Sequence, residues 1–179
     1  KYAQKQQRIS EMRFLRGYMY MQLKKWYKWI PYYDENVSQD SIKLIPNHPD
    51  TATSDLYIWN DIYQDFSAAA NGLPVTQSDA GRPTKYAAEA EMANVLLWMA
   101  YEENDQNQVV NINKGRLTEA LSYIDDIINS NKYSLSTDFA QNFLFSDDNS
   151  SPESIWEWQY THDDGTPNGN LNGGTPLNA

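Results

Sequence analysis

The fold of this chain is decided by the stretch FLRGYMYMQLKKWYKWIP, residues 14–31. In and just before it, apolar side chains recur at spacings of three and four residues, the period of an amphipathic helix; they are Ile9, Met12, Leu15, Met19, Leu23 and Trp26. Arg13, Lys24 and Lys28 fall on the opposite side of the helical wheel, which is expected to be the solvated back of the helix. The pattern therefore predicts a helix from the start of the chain to about Trp29, packed through this stripe and stopped by Pro31.

Three further helices are predicted downstream. The second begins at Thr53 or Ser54 and closes at Gly72, and Thr84 caps the third. The fourth spans about residues 114–130, with Asn131 in the left-handed position that ends it. The expected buried side chains are Leu56, Trp59, Tyr63, Phe66 and Ala70 on the second helix; Ala87, Ala88, Ala90, Ala93, Leu96, Leu97 and Met99 on the third; and Leu117, Ala120, Leu121, Ile124 and Ile128 on the fourth.

The third and fourth helices, joined by a polar loop over residues 102–113, have the size of a tetratricopeptide-type hairpin. Near the C-terminal end, Trp156, Trp158 and Tyr160 alternate with other residues, which is strand periodicity with the aromatic rings on one face. The predicted fold class is therefore mainly α, with helical hairpins, long loops and a short β element near the C-terminal end. The helical scaffold covers about residues 1–133, and a loop and strand region covers 134–179.

Composition excludes several classes of function. The net charge of −10 argues against a nucleic-acid partner, because phosphate binding needs a cationic surface. The absence of cysteine excludes disulfides, thiolate nucleophiles and cysteine-bound metals. The basic residues of the opening helix are more typical of the solvated back of a packed helix than of a membrane-surface element.

Catalytic and metal motifs are also missing from the sequence. His48 and His162 lie in loop-like segments, and no metalloprotease, nucleophile-elbow or phosphate-loop spacing occurs. The acid pairs at Asp125-Asp126 and Asp147-Asp148 are more typical of surface charge. The Asp- and Asn-rich tail after Thr161 offers oxygen ligands, but such runs are first of all turn formers. We expect no enzyme, no cofactor and no metal, and a glycosidase fragment is the least expected alternative.

Two loop clusters combine aromatic rings with polar groups, as carbohydrate sites commonly do. The candidate ligand-binding residues are Trp29, Tyr32 and Tyr33 in the first cluster, and Trp158, Tyr160, His162, Asp163 and Asp164 in the second. The alternative is that these rings belong to the core, where aromatic side chains at helix ends are frequent. Trp26, Trp59 and Trp98 are assigned to packing.

Several motifs follow one another along the chain. The opening helix, with Phe14, Arg16 and Tyr20, is followed by GLP (72–74), GRPTK (81–85), SNKYSL (130–135), a Phe-rich stretch (139–145) and ESIWE (153–157). In this order the motifs resemble those of the SusD/RagB family, whose opening helix has the pattern F-L-R-A-x-x-Y-x-x-L. Family members usually place glycine after the tyrosine that ends the first helix, whereas this chain has Lys28, so we expect another backbone geometry there. Because family members are about three times longer, the chain is interpreted as an internal portion of a single SusD-like domain.

The resemblance implies a lipid-anchored protein of the outer membrane, exposed at the cell surface, whose anchor would lie upstream of this segment. It implies a partner, a SusC-like TonB-dependent transporter, and a glycan ligand that is captured without catalysis. Peptide uptake, as in RagB-like proteins, is an open alternative, and so is a tetratricopeptide-like scaffold that binds a protein partner. Arg16, at the edge of the apolar stripe, is expected to pair with a buried carboxylate.

Overall fold

In the computed structural model, the described residues are 4–48, 54–79, 81–143 and 151–158. Four helices dominate this part of the chain, which confirms the mainly α fold class: α1 (Lys5–Tyr27), α2 (Trp59–Gly72), α3 (Lys85–Ala100) and α4 (Lys114–Asn129). Short 3-10 turns span Ile42–Leu44 and Phe139–Phe143. Each helix packs against the next, α1 on α2, α2 on α3 and α3 on α4. The scaffold is thus a row of antiparallel helical hairpins.

The helix boundaries follow from local capping chemistry. Thr84 accepts a hydrogen bond from the backbone N–H of Ala87 at 3.2 Å and begins α3 as predicted. Asn113 caps α4 in the same way, and Asn131 has a φ of 54°, as its predicted role at the end of that helix requires. The start of α2 was placed too early, because residues 54–58 form turns and Ile58 has a φ of 69° before Trp59 begins the helix.

The core lies between α1, α2 and α3. Phe14, Ile62, Phe66 and Val95 are completely buried there, and the Phe14 and Phe66 rings meet edge to face at 5.5 Å. Gly17 lets α1 approach α2 closely, since a Cβ at this position would lie 3.2 Å from the Phe66 ring. The predicted packing of Trp59 is confirmed.

The predicted packing face of α1 is wrong. Its inward side consists of Ser10, Glu11, Phe14, Gly17, Met21 and Lys24. Of the predicted apolar stripe, Leu15 is half-buried against the core, whereas the other members are exposed, from 40% at Ile9 and Leu23 to 74% at Trp26. The reason is that the two inward charged side chains have charged partners, Arg82 for Glu11 and Asp55 for Lys24. A hydropathy pattern contains no information about such ion pairs, so it predicted that the other side of the helix is buried.

The predicted stripes of α3 and α4 are correct only in part. On α3, Leu96 and Met99 are buried, whereas Leu97 is 49% exposed. On α4, Leu121 and Ile128 are more than 60% exposed, and the buried residues are Ala120 and Ile127. Among the described elements α4 packs mainly on α3, so only one edge of its apolar face is covered.

The β structure is not where the sequence predicted it. The polar loop between α3 and α4 contains an antiparallel hairpin of β1 (Tyr101–Glu103) and β2 (Val109–Ile112), which turns through Asn107 with a φ of 57°. The predicted strand around Trp156 and Trp158 is not formed in the described residues up to 158, where the segment is held by the Trp156 side chain rather than by a β ladder. Tyr160, the last aromatic residue of that pattern, lies outside the described residues. Among the described helices, none combines the length and apolarity needed to cross a bilayer.

Candidate functional site

An ion-pair network joins α1, α2 and the loop after α1. Arg16 donates two hydrogen bonds to the Asp65 carboxylate, from Nε at 2.7 Å and from Nη2 at 2.6 Å. The Asp65 side chain is only 1% exposed, which confirms that Arg16 pairs with a buried acid. Glu35 accepts from Arg16 at 2.6 Å on the solvent side. The bidentate Arg16–Asp65 pair joins α1 to α2, and the Glu35 contact holds the first loop against them.

Tyr32 belongs to this network rather than to an open platform. Its hydroxyl donates to Asp65 at 2.8 Å, and its ring lies 4.7 Å from that of Tyr20. Burial and the hydrogen bond to Asp65 raise the pKa of Tyr32 well above its usual range. The backbone of Tyr33 is held by the Tyr20 hydroxyl, which accepts from its N–H at 2.9 Å. Both tyrosines therefore shape the loop, and neither lines the cleft formed by their neighbour Trp29.

That cleft, which we name the Trp29 cleft, has a volume of about 220 Å³. It is lined by Trp29, His48, Ser54, Asp55, Glu103, Asn104 and Asp105. The ring centroids of Trp29 and His48 are 3.8 Å apart, and Tyr57 lies behind Trp29 at 6.2 Å. The cleft thus places carboxylates, an amide and a hydroxyl beside a pair of flat rings.

Two lysines tie the walls of the Trp29 cleft together. The Lys24 ammonium is 1% exposed, donates to the Lys28 carbonyl at 2.5 Å, and lies 3.3 Å from Asp55 Oδ1. Burial lowers the pKa of Lys24, although Asp55 opposes this effect. The Lys28 ammonium donates to the Asn104 carbonyl at 2.6 Å in the turn of the hairpin. Together the two side chains connect the end of α1 to the start of α2 and to the hairpin.

Lys28 occupies the position where the family pattern has glycine. Its φ of 56° lies in the region that favours glycine, so Lys28 adopts a backbone conformation that is unfavourable for a residue with a side chain. The Lys28 side chain compensates by bonding to the hairpin through Asn104 and Asn107, the latter at 2.9 Å. Lysine here combines an unfavourable backbone conformation with a long-range contact.

Replacing Lys28 should loosen the hairpin. We expect Lys28→Met to lower the free energy of unfolding by about 1–2 kcal/mol, since it removes two charged hydrogen bonds at a partly exposed site. Amide hydrogen exchange over residues 101–112 should become faster. Lys43→Met, at an exposed lysine of the first loop, is the matched control. Unchanged exchange in the hairpin would show that Lys28 does not hold it.

The second predicted cluster is described only in part. Trp158 is 42% exposed and contacts Trp156 and Tyr18, at 5.2 and 5.8 Å between ring centroids. Trp156 anchors the segment, since its ring meets Phe14 at 4.8 Å and its indole N–H donates to the Gly81 carbonyl at 2.9 Å. The other predicted residues of this cluster lie outside the described residues; they are Tyr160, His162, Asp163 and Asp164.

A second cleft, of about 330 Å³, was missed by the sequence reasoning. It lies between the GRPTK segment and residues 151–157, and its lining includes Arg82, Lys132, Tyr133 and Trp156. Both segments were recognised in the sequence as family motifs. The order of motifs does not show which of them lie side by side in the fold, so it could not predict this cleft. Arg82 is already engaged with Asp79 at 2.7 Å and with Glu11 at 2.9 Å. We therefore assign this cleft mainly to packing of the C-terminal segment.

The Trp29 cleft has the chemistry of binding through shape and hydrogen bonds. Flat rings offer an apolar surface, and carboxylate and amide groups offer acceptors and donors to hydroxyl groups. Within the described ranges, no group of three His, Cys, Asp or Glu side chains is arranged to hold a metal ion. The arrangement can hold a small polar ligand.

Comparison of whole folds identifies several similar solved structures. A SusD-like protein from Bacteroides fragilis superposes with a TM-score of 0.70 at 19% identity, over 92% of this chain and 29% of that protein. A SusD-like carbohydrate-binding protein from the same organism gives 0.68 at 23% identity, over 90% and 28%. A structure solved with a xylogluco-oligosaccharide gives 0.69 at 24% identity, over 90% and 30%.

The chain thus spans less than a third of the length of these proteins. No protein-family model matches the sequence, and no curated protein matches it. The likeness therefore lies in the path of the backbone, and it covers the row of helices that carries the Trp29 cleft. The resemblance found in the sequence motifs is confirmed at the level of the fold: this chain has the fold of a portion of the SusD-like proteins.

Proposed function

We propose that this chain is part of a cell-surface glycan-binding protein, which captures an oligosaccharide and passes it to a TonB-dependent transporter. The observation that carries this proposal is the Trp29 cleft, where the paired rings of Trp29 and His48 adjoin three carboxylates and an amide. Sugars present apolar C–H faces bordered by hydroxyls, and such a mixture of groups complements both. Binding requires no catalytic residue, so we propose a role without enzymatic activity.

The similar structures support the class of ligand. One is described as a SusD-like carbohydrate-binding protein, and another was solved with a xylogluco-oligosaccharide. At about 220 Å³ the cleft is smaller than a typical site for a drug-sized ligand, so it would hold one end of an oligosaccharide with the remainder outside. We propose that the chain forms an internal portion of one SusD-like domain, on a lipid-anchored outer-membrane protein.

The glycan role is tested by titration calorimetry of the purified chain. The panel contains neutral oligosaccharides, with a xylogluco-oligosaccharide among them, and short peptides of similar length. Saturable heat from an oligosaccharide and none from the peptides supports glycan capture. Saturable heat from peptides alone would contradict glycan capture and support the peptide-uptake alternative, in which the same cleft binds a peptide.

The transporter partnership needs a separate test. Membranes of the source organism are solubilised, the protein is isolated with an antibody to this segment, and mass spectrometry identifies what accompanies it. A large TonB-dependent barrel in nearly equal amount is the expected result. Recovery from the soluble fraction without a barrel would contradict both the anchor and the partnership.

A protein-interaction scaffold is the second candidate function. The observation that favours it is an apolar groove of about 540 Å³ between α3 and α4, lined by Ala93, Leu97, Leu117 and Leu121 among others. Grooves of this kind receive helices in tetratricopeptide-like proteins. The scaffold role predicts that Leu121→Asp abolishes binding of a protein partner and leaves oligosaccharide binding unchanged. The glycan role predicts that a substitution at Trp29 abolishes oligosaccharide binding and leaves binding of a protein partner unchanged.

A further inference from the structure

We infer that the Trp29 cleft discriminates by charge: it accepts uncharged sugars and disfavours sugars that carry a carboxylate. This inference rests on the glycan-binding role proposed above, because it concerns the ligand of the same cleft. It depends on which charged side chains line the cleft, and on whether the nearby cationic side chains already form hydrogen bonds and ion pairs.

The groups that reach the cleft are predominantly acidic. Three of its lining residues are carboxylates, namely Asp55, Glu103 and Asp105, and no lysine or arginine belongs to its described lining. The Asp55 and Glu103 side chains are 13% and 31% exposed, and Asp105 is exposed to solvent. They come from two separate elements, the turn before α2 and the hairpin. A ligand that enters between these elements therefore meets acidic groups on both sides.

Both nearby cations are engaged behind the cleft wall. The Lys24 ammonium is buried, holds the Lys28 carbonyl at 2.5 Å, and lies 5.0 Å from the centre of the Trp29 ring. The Lys28 ammonium holds Asn104 and Asn107 and lies 3.6 Å from Glu103 Oε2. To pair with a carboxylate on the ligand, either lysine would have to give up hydrogen bonds that hold the cleft together.

The remaining charge at the cleft is therefore negative. Lys24 faces Asp55 and Lys28 faces Glu103, whereas Asp105 has no ion pair among the described residues. A carboxylate on the bound sugar would be repelled by Asp105 and would gain no salt bridge. Like charges a few ångströms apart at a protein surface repel each other, and salt screens the repulsion, so we expect about tenfold weaker binding, equivalent to about 1.4 kcal/mol. A hydroxymethyl group at the same position would meet only hydrogen-bonding partners.

The test compares two ligands that differ in one group. A neutral oligosaccharide that binds in the panel is oxidised at C6 of its terminal sugar, which converts a hydroxymethyl group to a carboxylate. The two affinities are measured by calorimetry at low and high salt. The same pair is then titrated against Asp105→Asn, which keeps the shape of the side chain and removes its charge, and against Asp40→Asn, a matched control at an exposed acid of the first loop.

We expect the oxidised ligand to bind about tenfold more weakly, with a difference that shrinks at high salt and in Asp105→Asn but not in Asp40→Asn. Equal or tighter binding of the oxidised ligand would overturn the charge inference and leave the glycan role intact. A difference that persists unchanged in Asp105→Asn would also overturn it. If no oligosaccharide of the panel binds, the glycan role fails and the inference fails with it.

Discussion

Arg16→Met is expected to lower the free energy of unfolding by about 3–5 kcal/mol, because it leaves the Asp65 carboxylate buried without its main counter-charge. Asp65 is 1% exposed and receives two hydrogen bonds from Arg16. Arg13, at 3.3 Å, and the Tyr32 hydroxyl are its remaining partners. Neither replaces a bidentate guanidinium, so the charge stays largely uncompensated. Urea denaturation of both proteins measures the difference.

Arg116→Met is the matched control for this prediction. The side chains of Arg116 and Arg16 are equally exposed, at 21%, but the carboxylate partner of Arg116, Glu102, is 23% exposed. Solvent can therefore stabilise Glu102 once the arginine is lost, and we expect a loss of only about 1 kcal/mol in the free energy of unfolding.

Adding Asp65→Leu to Arg16→Met should recover part of the stability, since it removes the unpaired buried charge. A loss below about 1 kcal/mol in Arg16→Met would show that Arg13 and Tyr32 suffice for Asp65.

Phe14→Ala is expected to destabilise by about 3–5 kcal/mol, the usual cost of removing a fully buried aromatic ring. Phe14 is completely buried and contacts the rings of Phe66 and Trp156, at 5.5 and 4.8 Å. The loss of the ring would therefore open a cavity where α1, α2 and the C-terminal segment meet. Thermal or urea unfolding of the variant gives the number directly.

Met12→Ala is the control that distinguishes the two faces of α1. Met12 belongs to the apolar stripe that the sequence pattern placed in the core, but it is 65% exposed. We expect its truncation to change stability by no more than about 0.5 kcal/mol. A large effect at Met12 with a small one at Phe14 would show that the helix packs through the stripe and that the observed orientation is wrong.

The start of α3 and the end of α4 were predictable because they depend on neighbours in the sequence. Thr84 and Asn131 occupy positions whose chemistry is local, a hydroxyl that accepts from an N–H three residues ahead and a residue that tolerates positive φ. The Arg16 pairing was predictable for a related reason, since a charged side chain beside an apolar stripe needs a counter-charge if it is buried.

The orientation of α1 was not predictable from the periodicity. Its inward face contains Glu11 and Lys24, which are buried only because Arg82 and Asp55, far along the chain, compensate their charges. Local hydropathy contains no information about such partners. The resulting orientation also explains why Trp26, on the same helix, is exposed.

The sequence grouped Trp29, Tyr32 and Tyr33 into one candidate cluster, and the structure separates them. Trp29 lines a polar cleft, whereas the Tyr32 hydroxyl is bonded to Asp65. The other wall of the cleft, from Glu103 to Asp105, comes from a hairpin that the sequence presented as a polar loop. Because Lys28 brings that hairpin to the cleft through contacts about eighty residues apart, only the folded structure unites these groups.

The most direct test of glycan capture at the Trp29 cleft is the affinity of Trp29→Ala for the oligosaccharide that binds best in the panel. Trp26→Ala, a tryptophan of the same helix region that is 74% exposed and does not line the cleft, is the control. The account predicts at least tenfold weaker binding for Trp29→Ala, with the affinity of Trp26→Ala and the melting temperature of both variants close to those of the unmodified protein. Unchanged affinity in a folded Trp29→Ala would contradict the assignment of the ligand to this cleft.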